Sequence, residues 1–258
     1  MKNKMKRDFT LQVYKQLLQS AIRNDYTLTS FEDYINHGHR YAKVFILRHD
    51  VDALPSNSVR TAKIENQLGA KGSYYFRAIK KSLKPSCIQQ IINLNHEIGY
   101  HYEDLALNKG EYEKSYAHFL EKLTLFRTYY PVKTICMHGS PLSKWDNRLL
   151  WTKYNYKDLG IIGEPYFDID FNKVLYLTDT GRQWNNNTSS VRDKVQTAFD
   201  FKFTSTIDII KAFDAKQLPP IIMLNIHPQR WTDHKLGWLK ELVFQNIKNS
   251  IKKIIVKK

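Results

Sequence analysis

Short apolar runs, each closed by polar residues and separated by amphipathic stretches, recur along this chain and restrict it to one class of fold. The runs are Val44-Phe45-Ile46-Leu47, Gly72-Ser73-Tyr74-Tyr75-Phe76, Glu97-Ile98-Gly99-Tyr100, Lys133-Thr134-Ile135-Cys136-Met137, Val174-Leu175-Tyr176-Leu177 and Ile221-Ile222-Met223-Leu224. Runs this short and apolar suit strands buried on both faces. The stretches between them carry apolar residues at helical spacing, such as Val59, Ala62 and Ile64, or Tyr116, Phe119, Leu120, Leu123 and Phe126. Strands alternating with helices predict a parallel sheet with helical crossovers, either a closed barrel or a doubly wound sheet.

Two helices are expected ahead of the first run. One covers residues 10–24; the other starts at Ser30, where Ser30-Phe31-Glu32-Asp33 has capping-box form, and ends near His37. Neither repeats nor a Pro/Gly-rich linker divide the chain. The expected organisation is therefore an N-terminal helical extension, residues 1–40, packed on a single α/β barrel, residues 41–258. After the fourth run the pattern loosens. Residues 185–190 read as a loop, residues 201–203 as a short strand and residues 206–213 as a helix. The last helix carries Leu239, Leu242, Val243, Ile247 and Ile251.

Charge narrows the partners. The formal net charge of +15 suggests an anionic partner: an acidic glycan, a lipid-linked or nucleotide-linked sugar, nucleic acid or an anionic membrane surface. A lysine-rich composition without a functional cause explains the charge equally well. Cys87 and Cys136 lack metal-type spacing, and Cys136 in its apolar run reads as a buried hydrophobe. No apolar run approaches the ~20 residues of a membrane span. With no secretion-type apolar core near its start, the chain is expected to be cytoplasmic.

The polar residues that close the runs carry the functional argument. In parallel α/β folds the C-terminal strand ends share one rim, and that rim holds the active site. Asp50, Asp52, His101, His138, Asp179, Arg182 and His227 all follow strands and are expected to converge there. Histidines with one or two carboxylates form a ligand set for a divalent transition metal with an open position. A spare carboxylate then serves as base and another histidine as acid. Arg77 or Arg182 can orient the base or bind an anionic substrate group. Trp184 and Trp231 can stack on a sugar ring, with core packing the alternative. Alternation points His49 away from Asp50, toward a structural role. His96, His118 and His234 are expected on the surface.

Asp50-Val51-Asp52 with Pro55, then Glu97-Ile98-Gly99-Tyr100-His101, then a final strand ending at His227, resembles the NodB-type polysaccharide deacetylases over roughly residues 44–231. The resemblance implies a distorted (β/α)7 barrel that removes acetyl groups from sugars with a metal. It implies Asp50 as base, Asp52 and His101 as metal ligands, and His227 as acid. The family's second metal histidine falls at Leu105 here, which leaves His138 or Glu103 to complete the set. Its fourth-strand arginine–proline motif is replaced by His138-Gly139-Ser140-Pro141. Asp179-Thr180-Gly181-Arg182-Gln183-Trp184 is loosely similar to its later Asp/Trp motif.

The resulting expectation is a metal-dependent hydrolase, with zinc the divalent ion that suits the ligand set. Asp50, Arg182 and His227 would be catalytic, and Asp52, His101 and His138 would hold the metal. Arg77, Asp179, Trp184 and Trp231 would contact an acetylated sugar or glycan, anionic or carrier-linked. The rival readings are a lapsed barrel that binds glycan without turnover and a basic nucleic-acid binder resting on charge alone.

Overall fold

Thr10 opens the first helix, α1 (Leu11–Arg23), by accepting from the Val13 backbone N–H. Residues 7–184 and 192–256 are described in this computed structural model; the loop expected at residues 185–190 lies outside them. After α1 come a short strand, β1 (Thr27–Thr29), and α2 (Phe31–His37), capped by Ser30 as its sequence predicts. The chain continues as β2 (Val44–Val51), α3 (Pro55–Gln67), β3 (Ser73–Phe76), α4 (Pro85–Asn93) and β4 (Glu97–Tyr102). Pro55 and Pro85 open α3 and α4, where a missing N–H costs nothing. Then follow α5 (Asp104–Leu107), α6 (Tyr112–Arg127), β5 (Ile135–Met137), α7 (Pro165–Asp168), β6 (Leu175–Thr178), α8 (Thr206–Asp214), β7 (Ile221–Ile226) and α9 (Lys235–Val256). Residues 201–203, expected as a strand, pair with no other strand among the described residues.

Every strand pair is parallel, in the order β5-β4-β3-β2-β7-β6 with β1 added on β2. The last strand thus lies beside β2, with Val44 opposite Ile221 and Arg48 opposite Asn225. On the other edge of β2, β1 pairs with Val44–Ile46 and β3 with Arg48–Val51. Residues 1–40 therefore give a strand to the sheet, and Phe31 of α2 joins the inner core, so this segment does more than pack outside a barrel.

Among the described residues the sheet curls into a half-barrel and does not complete the expected (β/α)7 barrel. Among the described residues, the end strands β5 and β6 do not pair. Between them the chain runs through 3₁₀ turns and α7, with one parallel bridge, Thr134 to Gly163. Side chains span the seam instead. Arg192 donates to the Gly139, Ser140 and Ser143 carbonyls on the β5 side. Asp193 accepts from Tyr176 and Thr178 on β6 and from Tyr166 of α7.

Strand alternation sorts the core. Phe45, Leu47, Ile222, Leu224 and Ile226 pack with α1 and α8, while Tyr74, Phe76, Ile98, Tyr100 and Ile135 pack with α4 and α6. Val44, Ile46, Tyr75, Cys136, Tyr176 and Met223 point into the curl. Gly99 leaves room for the Tyr75 ring, with which any Cβ at that position would collide. Glu97 closes the N-terminal end, accepting from the Glu32 backbone N–H at 2.9 Å and from the Ser73 and Thr134 hydroxyls.

On the helix side, His49 stacks on Tyr74 and meets Glu65 at 2.7 Å, the structural role that alternation assigns it. His96, expected on the surface, is buried there too: Nδ1 accepts from the Gly72 N–H and Nε2 donates to the Ala62 carbonyl. His118 is half-buried against Asp104, whereas His234 is exposed as expected. Among the described residues, no helix is long and apolar enough to cross a membrane.

Candidate functional site

The inward face of β2 changes character along its length, from Val44 and Ile46 to Arg48 and Asp50, because residues two apart share a face. The same phase puts His101 of β4 and Cys136 of β5 inward. It also puts His138, just beyond β5, and Asn225 and His227 of the β7 end at the same rim. These groups meet at the C-terminal mouth of the curl.

Asp52 lies among three imidazoles. His138 Nε2 is 3.6 Å and His101 Nε2 3.8 Å from its Oδ1, and His227 Nε2 is 3.9 Å from its Oδ2. Each ring is held by its other nitrogen. His101 Nδ1 donates to the Cys136 carbonyl at 3.0 Å, and His138 Nδ1 meets Glu103 at 2.9 Å. His227 Nδ1 meets Asp179 Oδ1 at 2.6 Å. At His101 and His138, donation at Nδ1 leaves the Nε2 lone pairs directed at Asp52. Asp52 Oδ1 is buried and makes no hydrogen bond among the described residues. A buried carboxylate oxygen without a donor is costly, and a cation is the usual remedy.

The anchors are themselves firmly held. Glu103 takes a bidentate pair from Arg77, at 2.8 and 2.6 Å. Burial opposes its ionisation, but His138 and Arg77 outweigh that and bring its pKa down to about 2. Asp179 is fully buried and accepts from Arg230 Nη1, Trp231 Nε1 and the His227 backbone N–H. Its pKa is lowered as well, Arg230 and His227 together exceeding the burial penalty.

Asp50 is gripped differently. Arg48, buried and two residues earlier on the same face, donates through Nε at 3.2 Å and Nη2 at 2.9 Å, and Asn225 adds a third bond at 3.0 Å. Burial raises the Asp50 pKa, but Arg48, His101 and His227 overcome it and set it at about 2. Burial also opposes ionisation of Asp52, yet His138, His227, His101 and Arg77 hold its pKa below the usual carboxylate range. His101 moves the other way: burial draws it down to about 4, so the ring is neutral near pH 7.

Asp50, His101 and Cys136 form a buried trio whose ligand atoms all lie within 4.8 Å of one another, a grouping that can hold a metal ion. Burial pushes the Cys136 thiol well up, so it stays protonated as it stands.

The site opens into a cleft of about 1100 Å³ lined by Asp50, Asp52, Arg77, His101, His138 and His227. The remaining sequence candidates are not brought to it. Asp179 is buried beneath His227 and positions that ring, so it does not contact substrate. Arg182 turns away, donating to the Trp238 carbonyl and stacking on Trp238, so it neither orients Asp50 nor acts on substrate. Trp184 and Trp231 are buried around Phe9, at 5.9 and 5.2 Å between ring centres, and present no face to a sugar. Glu103, the alternative to His138 in the ligand set, is buried behind that ring and anchors it. Arg48 and Asn225 have no role in the sequence reading. Their spacing, two residues before Asp50 and two before His227, is the signal that marks them.

Comparison of the chain with protein-family models, with curated proteins and with solved structures finds no match.

Proposed function

We propose that this protein is a metal-dependent hydrolase that removes an acyl group, in the first instance acetyl, from a sugar or glycan-related substrate. The observation that carries the reading is the donor-less Asp52 Oδ1 facing the Nε2 atoms of His101 and His138, two residues from an ionised Asp50. Separations of 3.8 and 3.6 Å are near the ~3.3–3.4 Å between two ligands on one zinc ion, given bonds of ~2.0–2.1 Å. Asp52, His101 and His138 are therefore the residues that would hold a divalent ion, zinc by ligand type. Cys136 is less suited, because its thiol must first lose a proton that burial retains. His138 takes the part that the deacetylase pattern gives to the position occupied here by Leu105, which is buried.

A bound divalent ion would supply Lewis acidity, polarising the acyl carbonyl and acidifying water. The chain's own groups do the rest. Arg48 and Asn225 fill three of the four lone-pair positions of Asp50, and the fourth meets only the long 4.0 Å contact from the Cys136 thiol, a weak donor that the proton of the attacking water would displace. Arg48 and Asn225 also fix its orientation. His227, as the imidazolium, gives the Nε2 proton at the other oxygen of Asp52 from His101 and His138 to the departing nitrogen or oxygen and is left neutral, while Asp179 holds the ring by Nδ1. The complete set of anchored side chains favours turnover over the glycan-binding, lapsed alternative.

The test is acetate release from N-acetylated oligosaccharides by zinc-loaded protein, with chelated protein and Asp50→Asn as controls. Release that depends on both the metal and Asp50 is expected. Metal-loaded protein that frees no acyl group from any acetylated sugar overturns the reading.

A further inference from the structure

The C-terminal helix α9 is turned inside out. Gln245 and Asn249 are buried against the body of the protein, where they bond to each other and Asn249 donates to the Gly181 carbonyl. Trp238 and Leu242 are half-buried, but five other apolar residues face solvent: Leu236 is 72% exposed, and Leu239, Val243, Phe244 and Ile247 are 51–53% exposed. An amphipathic helix on a water-soluble surface shows the opposite polarity. These residues follow one another at helical spacing and form a shallow apolar groove that also includes Lys240.

The groove continues into the catalytic cleft. Phe244 and Lys240 line both, and Leu54, Leu107 and Leu142, all exposed, stand elsewhere on the cleft wall. Cations accompany the apolar groups: Lys235, Lys240 and Lys248 are exposed on α9, and Arg60 and Lys81 line the cleft. From Leu242 to Lys258 the sequence contains lysines and no acidic residue.

We propose that α9 docks this protein on a membrane surface containing anionic lipid, with the mouth of the cleft at the headgroup layer. An exposed apolar stripe flanked by lysines is the pattern of a helix lying in a bilayer interface, where apolar burial and attraction to anionic headgroups add. A second copy of the chain fits the same face less well. The strip from Leu236 to Ile247 is about 17 Å long at 1.5 Å per residue and roughly 10 Å wide. That is well short of the roughly 800 Å² per partner of a stable interface, and its lysines would face lysines across a two-fold. The docked orientation names a substrate class, an acylated sugar carried on an anionic lipid. That last step rests on the acyl-hydrolase reading above; the docking does not.

The test is co-sedimentation of the full chain with phosphatidylcholine vesicles, with and without phosphatidylglycerol. Wild type is expected to pellet with the anionic vesicles, and less as salt rises. Leu239→Gln, Val243→Gln and Ile247→Gln together, at exposed positions that leave the fold intact by circular dichroism, should weaken binding by ~100-fold or more. Lys235→Gln with Lys240→Gln should weaken it roughly 25-fold, ~5-fold per lysine. Wild type that stays in the supernatant, or a triple variant that pellets equally, overturns the proposal. So does a dimer, seen by analytical ultracentrifugation, that the triple substitution dissolves while vesicles bind neither form. If the protein pellets as expected yet hydrolyses no acylated sugar, the docking stands and the acyl-hydrolase reading fails.

Discussion

His138 Nε2 stands 3.6 Å from Asp52 Oδ1, closer than His101 at 3.8 Å, although His138 belongs to a different strand end and to no motif shared with either residue. Parallel pairing of β4 with β5, with His101 opposite Cys136, carries His138 to the rim beside His101. The two rings end 5.2 Å apart.

One divalent metal per chain is therefore expected, with Asp52, His101 and His138 as protein ligands. Metal retained after dialysis from zinc should fall sharply in Asp52→Ala and His138→Ala. Glu103→Gln, which alters the anchor of His138 and the pair with Arg77 but removes no ligand, should weaken binding by ~10–100-fold. Full retention in Asp52→Ala and His138→Ala, with loss in Cys136→Ala, would place the ion on the Asp50–His101–Cys136 trio instead.

Asp50→Asn should keep the metal and the fold yet lose turnover by roughly 10²–10⁴-fold, because an amide cannot take the proton. Its carbonyl oxygen still accepts from Arg48, which limits the structural cost. Metal analysis alongside kcat decides the matter: loss of metal with activity would make Asp50 a ligand.

The rim is legible in the sequence because it follows from strand alternation and parallel order alone. Those two rules place Asp50, His101 and His227 together before any contact is known. Arg182 and Trp184 mislead for a related reason. Both follow β6, but Gly181 and Arg182 have positive φ, 74° and 57°, and the chain turns there away from the cleft. A left-handed turn at a non-glycine residue leaves little trace in sequence. The open seam is not legible, because the Arg192 and Asp193 side chains that span it among the described residues have no periodic signal. The exposed face of α9 is invisible because periodicity finds an apolar stripe without saying which side of it meets the protein.

Trp184 provides a check on its reassignment from sugar contact to core. Trp184→Ala should cost ~3–5 kcal/mol of stability, as for a large buried aromatic. Among molecules that remain folded, KM for an acylated oligosaccharide should be unchanged. A raised KM at unchanged thermal stability would return Trp184 to the substrate.

Glu65 ties α3 to the sheet, accepting from Tyr14 at 2.5 Å and Tyr74 at 2.9 Å and pairing with His49 at 2.7 Å. Burial raises its pKa, but His49, His96 and Tyr14 together bring it below the ordinary carboxyl value of 4.5. A folded pKa below the unfolded one means stability present above pH ~4.5 and lost as pH falls through the lower folded value. Glu65→Gln should destabilise by about 3 kcal/mol near neutral pH. The gap to wild type should narrow as pH falls below the ordinary carboxyl value in denaturant titrations at stepped pH. A gap that is constant down to acid unfolding would show that the charge on Glu65 contributes nothing.

His227 lies 3.9 Å from Asp52 and is fixed from behind by Asp179 at 2.6 Å, which leaves its Nε2 facing the cleft as a proton donor. An amine leaves poorly unless protonated, whereas a phenolate leaves unaided, so an acid is needed for one substrate and not the other. His227→Ala should retain metal and lose ~10²–10⁴-fold on an N-acetyl sugar, with a much smaller loss on an activated aryl acetate. Equal losses on both, with metal retained, would mean that the ring stabilises the oxyanion or positions substrate. Loss of metal would make it a ligand, joining His101 and His138 around Asp52. Unchanged rates on both substrates would leave Asp179, Arg230 and Trp231 holding a histidine for structure alone, and the assignment of an acid at this end of β7 would fall.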